Sequence, residues 1–189
     1  MNSYGRGVVS FCILLFSVAI VFSAQSPQKG KPTMHTSTVG GEKISYSLKT
    51  YSPPLVIKLD EKMLNQSSPL NCSYLLYSLL SKGEIDAASK LSNDPEKTKA
   101  KYERYKERIG EQEFKKTMAE YFGGKAKLLH ELTIGAASML LLHDADDELL
   151  AQMYVKVGDK YFVAEKETKE VDQLGKLFNA VQEGTLKLR

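Results

Sequence analysis

Residues 125–165 read KAKLLHELTIGAASMLLLHDADDELLAQMYVKVGDKYFVAE, and the fold class turns on this stretch. From Lys125 to Ile134 the pattern alternates, with Leu128, His130, Leu132 and Ile134 on one side and Leu129, Glu131 and Thr133 on the other. That two-residue period is the mark of a strand. Ala137 to Leu142 continues as an apolar run, an acidic turn spans His143 to Glu148, and Leu149 to Val157 extends again. Gly158-Asp159, glycine first, is a two-residue hairpin loop returning into Lys160 to Glu165. Strands joined by connections this short are antiparallel.

Working outward, the preceding residues carry helix signals. Ser68 before Pro69 is an N-cap with proline in the first helical position, and Gly83 is the stop. Leu70, Tyr74, Tyr77 and Leu80 fall close to helical spacing between them. Ile85 to Leu91 forms a short second helix, and Asp94-Pro95 caps a third that ends at Gly110. Glu111 to Phe122 aligns Phe114, Met118, Tyr121 and Phe122. After the strands, Val171, Leu174, Leu177, Phe178 and Val181 line one side of a last helix closed by Gly184. Leu186 and Leu188 alternate in a tail suited to a sheet edge. Upstream, Ile44, Tyr46 and Leu48 form a short strand that Pro53-Pro54 is expected to stop before Leu55 to Leu59 extends again. The order implies an α+β fold: N-terminal helices packed on one face of a bent antiparallel sheet, then a C-terminal helix.

The chain has 189 residues, 42% hydrophobic and 26% charged, which suits one folded domain and excludes a disordered one. A net charge of +3 is too small to imply nucleic-acid binding. Val8 to Phe22 is apolar apart from Ser10, Cys12 and Ser17, with Arg6 before it and a polar stretch from Gln25 after it. This is the layout of a secretory signal, with Val21 and Ser23 placed for cleavage before Ala24. Residues 1–23 are therefore read as a signal peptide, or as an uncleaved signal anchor. Residues 24–41, rich in Ser, Thr, Gly, Pro and Lys, read as a flexible lead, and 42–189 as a single α+β domain. Removal of the signal leaves Cys72 as the one cysteine, so no internal disulfide forms. The expected location is periplasmic or secreted, with inner-membrane anchoring as the alternative.

Pro69 to Gly83 leading into Glu84-Ile-Asp-Ala-Ala88, followed by the hairpin carrying Tyr154 and Tyr161-Phe162, resembles the nuclear-transport-factor-2-like superfamily across about Pro69 to Phe162. The resemblance implies packed helices enclosed by a strongly bent, cone-shaped sheet. It also implies that an enzyme of this type would place an acid, a His or a Tyr in the cone to move a proton. His130 and Glu131 are the candidates for that role. Neighbours on a strand point to opposite faces, so one of them would act alone or with a distant Tyr102 or Tyr154.

The helix after Asp94 is basic, with Lys97, Lys99, Lys101, Arg104, Lys106 and Arg108. Lys97, Lys101 and Arg104 are candidates for an anionic surface or an acidic partner, against the plainer reading of a solvated mixed-charge face. His143, Asp144, Asp146, Asp147 and Glu148 offer oxygen ligands but lack the glycine of a calcium loop, so no metal is expected, and no cofactor. No phosphate loop, zinc spacing or nucleophile elbow occurs in the sequence. These absences favour an exported, non-catalytic envelope binding module. Its partner would be a protein or a small apolar ligand, not nucleic acid, and two copies could pair through the sheet. The alternatives are a small cofactor-free enzyme that transfers a proton in the cone, and a membrane-tethered component of an envelope assembly.

Overall fold

A computed structural model describes residues 28–144 and 146–188. The strands are β1 (Gln28–Lys29), β2 (Thr33–Val39), β3 (Glu42–Lys58), β4 (Gly123–Ile134), β5 (Ala137–His143), β6 (Leu149–Val157) and β7 (Lys160–Val163). The helices are α1 (Pro69–Lys82), α2 (Ile85–Ser89), α3 (Pro95–Ile109), α4 (Glu111–Glu120) and α5 (Lys169–Gln182). All strand pairings are antiparallel in the order β3-β4-β5-β6-β7, with β1 and β2 both paired to β3. The protein is α+β: a bent, unclosed antiparallel sheet flanked by helices and ending in a C-terminal helix.

The helix ends follow from their caps. The Ser68 hydroxyl accepts the Asn71 amide at 3.1 Å and the Asp94 carboxylate accepts that of Lys97 at 3.3 Å, each satisfying a donor that the first turn leaves open. Gly83, at φ +81°, closes α1 in the left-handed conformation. In the β6–β7 hairpin only Gly158 has a positive φ, the type II′ pattern of a glycine-first loop.

Four expectations need correction. Thr33–Val39, placed in the flexible lead by its composition, is β2 and pairs along its whole length with β3. Pro53-Pro54 does not stop the first strand. Glu42–Lys58 is continuous, and the prolines, which have no amide to give to a ladder, sit in an irregular step between Thr50 and Leu55. The tail at Leu186 and Leu188 forms no strand; both side chains pack against the core beneath α5.

The fourth correction concerns β4. Leu128 pairs with Leu142 but His130 pairs with Leu141, so Leu129 is a bulge. The extra residue switches sides: Leu128 joins Leu140 and Leu142 against α1 and α4, whereas Leu132 joins Met139 and Leu141 against α5. Leu128 therefore does not share a face with His130 and Leu132.

Helices consequently cover both faces of the sheet. One core holds Leu76, Leu80, Phe114, Leu128, Leu140 and Tyr154, and the other holds Ile44, Tyr46, Leu132, Met139, Leu174 and Leu177. The second face, left open by the sequence reading for contact between two copies, carries α5. β5 lies between the cores and is buried from Ala137 to Leu142, which explains an apolar run without alternation. Each fully buried Leu contributes roughly 1.5–3 kcal/mol.

Candidate functional site

Between α1 and α4 on one side and the ends of β4, β5 and β6 on the other lies a cavity of about 300 Å³. Its aromatic wall exists because α1 and the end of α4 each place a tyrosine there. The Tyr77 and Tyr121 rings stack with centroids 4.0 Å apart and planes within 10°, and Phe122 meets Tyr121 edge-on at 5.2 Å. Met118, Ala126, Leu142 and Leu150 complete the apolar lining.

Gln152 of β6 ties this wall together. Its Oε1 accepts the Ser73 hydroxyl at 2.7 Å and the Tyr154 hydroxyl at 3.0 Å, and its Nε2 donates to Tyr77 Oη at 3.1 Å. With the Ser73 proton engaged in this way, Tyr121 donates to Ser73 Oγ at 2.7 Å. Burial pushes the Tyr77 hydroxyl up to about 12, against the opposing hydrogen bond from Gln152, and burial raises Tyr121 and Tyr154 as well. All three phenols are proton donors at neutral pH.

The three phenols and Ser73 carry one hydroxyl proton each, and the amide of Gln152 carries two. Four of these six are used in the four hydrogen bonds just described. Two remain, on Tyr77 Oη and Gln152 Nε2, and both residues line the cavity. Reversing the amide changes which groups hold the extra protons but not their number.

His130 and Glu131 are not brought together. His130 lies on the α5 face, where its Nδ1 meets Thr50 Oγ1 at 3.1 Å and burial lowers its pKa. Glu131 lies on the opposite face, paired in register with Leu140, and its Oε2 accepts from Lys49 Nζ and from Tyr51 Oη, both at 3.3 Å. Neither lines the tyrosine-walled cavity. Tyr154 belongs to the Gln152 network, whereas Tyr102 is packed edge-on against Phe114 at a centroid distance of 6.4 Å.

Two of the basic candidates on α3 hold elements together. Lys97 donates to the Glu165 carbonyl at 2.8 Å and Lys101 to its carboxylate at 3.0 Å, fixing α3 to the segment after β7. Arg104 turns back to the Ala100 carbonyl at 3.1 Å. In the acidic turn, Asp144 Oδ1 accepts the amides of Asp146 and Glu148, both at 2.9 Å, and Asp147 Oδ1 meets His143 Nδ1 at 2.9 Å. Among the described residues no group of three or more His, Cys, Asp or Glu is arranged to hold a metal ion. The Cys72 thiol is buried and pushed up to about 12 by that burial, so it is inert as a nucleophile.

Sequence reasoning missed Ser73, Tyr77, Tyr121 and Gln152 as a group. The one available signal was Gln152 itself, a polar residue two positions before Tyr154 and on the same face of a strand that is otherwise apolar or aromatic up to Lys156. Comparison with protein-family models, with curated proteins and with solved structures finds no match.

Proposed function

We propose that the chain is an exported, non-catalytic binding module with the cone-like topology of the nuclear-transport-factor-2-like superfamily, and that its cavity takes a small, mostly apolar ligand. The cavity walled by Tyr77 and Tyr121 carries this reading. It is concave, with aromatic and aliphatic walls and polar groups at its floor and mouth, as small-molecule sites have. Its volume suits a molecule of about ten non-hydrogen atoms, taking roughly 30 Å³ for each water-sized group. The separation of His130 from Glu131 across the sheet favours binding over proton transfer by that pair. Export rests on residues 1–23, which lie outside the described part of the chain. No helix among the described residues is long and apolar enough to cross a membrane.

The test is titration of the full chain with 2-naphthol, a neutral fluorescent probe of suitable size. Saturable binding is expected, and Leu150→Trp, which fills the cavity from a position 43% exposed, should abolish it with the circular dichroism spectrum unchanged. Absence of binding to the wild type, or equal binding to the filled variant, rejects the proposal.

A further inference from the structure

We infer that the ligand of this cavity is a small organic cation that also carries an uncharged acceptor oxygen; this deepens the cavity-binding reading and rests on it. Two independent features lead there, one at the floor and one at the mouth.

At the floor, the Gln152 network has two more protons than its own oxygens engage; with Gln152 Nε2 facing Tyr77 these sit on Tyr77 and Gln152, two residues of the cavity lining. Buried donors are costly to leave unmatched. A ligand oxygen with lone pairs (an ether, hydroxyl or carbonyl) provides the acceptor. A ligand end bearing only donors does not.

At the mouth the lining residues include Glu120, Asp144 and Asp146, and no Lys or Arg. Asp144 is held in place through one oxygen, Oδ1, by the amides of Asp146 and Glu148. Its Oδ2 makes no hydrogen bond among the described residues. Glu120 and Asp146 likewise form no ion pair there, whereas the nearby α4 carboxylates Glu111 and Glu113 are matched by Lys115 and Lys116. Unmatched negative charge beside aromatic rings attracts a cation through both the carboxylates and the ring quadrupoles, and it repels an anion. The acceptor oxygen therefore belongs to an uncharged group, and the positive charge belongs at the opposite, outer end.

Four matched probes test this by calorimetric titration of the full chain. 2-(4-Methoxyphenyl)ethylamine has both features, 2-phenylethylamine lacks the oxygen, 2-(4-methoxyphenyl)ethanol lacks the charge, and 3-(4-methoxyphenyl)propionate reverses it. The first should bind tightest. Loss of the charge should weaken binding about tenfold, loss of the oxygen about fivefold, and the propionate should not bind detectably. The exposed substitutions Glu120→Gln and Asp146→Asn, made together, should remove the preference of amine over alcohol. Equal binding of amine and alcohol, tighter binding of the propionate, or a preference that survives the double substitution overturns the cationic assignment while the cavity reading stands. Failure of all four with 2-naphthol still binding also overturns it. Failure of all five probes removes the cavity reading itself.

Discussion

Gln152 is a hub that no apolar residue of similar volume can replace without leaving several hydroxyls unmatched. Gln152→Leu deprives Ser73 and Tyr154 of their acceptor and Tyr77 of a donor. An expected loss of about 1–3 kcal/mol follows from the desolvation of such groups, measurable as a lower urea midpoint with an unchanged slope. His130 gives a different kind of prediction. Burial holds its folded-state pKa below the ordinary 6.5, so the unfolded chain takes up the proton first as pH falls. Stability should therefore drop as pH decreases through 6.5 and stop dropping from this source once the folded-state pKa is passed. His130→Gln should flatten the slope of melting temperature against pH between 7 and 5; an unchanged slope would show that His130 is not the group responsible.

Among the described elements, α5 is the helix that covers the second core. Leu174 and Leu177 are fully buried there against Leu132, Met139 and Leu141. Leu177→Ala should cost about 2–5 kcal/mol by removing buried methyl groups and leaving a cavity, read as a shift in the denaturation midpoint. A loss below about 1 kcal/mol would mean that α5 is only loosely seated. The apolar stripe of this helix was legible in the sequence, as were the caps of α1 and α3, because those signals are local. Which face of the sheet α5 would cover was not legible, since periodicity identifies the side of a helix to be buried and not its partner. β2 was hidden for another reason: Thr33-Met-His-Thr-Ser-Thr-Val39 is polar and largely solvated at a sheet margin, so its composition matches that of a linker. The candidate site was hidden by distance along the chain. Its polar contacts join Ser73 and Tyr77 to Gln152 and Ser73 to Tyr121, pairs separated by 79, 75 and 48 residues, and in isolation each tyrosine reads as part of an apolar helix stripe.

At the scale of the whole molecule, two cores share one sheet, and the bulge at Leu129 lets β4 serve both. Ala126 and Leu128 enter the core beneath α1 and α4, while Leu132, after the extra residue, enters the core beneath α5. The apolar phase of this strand is thus offset by one position at Leu129, and the offset is what separated the sequence reading of β4 from its structure. It has a consequence for tracing descent. A sister chain that kept both cores but lost this single residue would match β4 only when a one-position gap is opened opposite Leu129. Aligned without the gap, its inward residues after that point would stand opposite the outward ones of this protein. An insertion elsewhere in the strand could restore the length but not the phase on both sides, so the place where drift in length is absorbed without repacking either core is Leu129 itself.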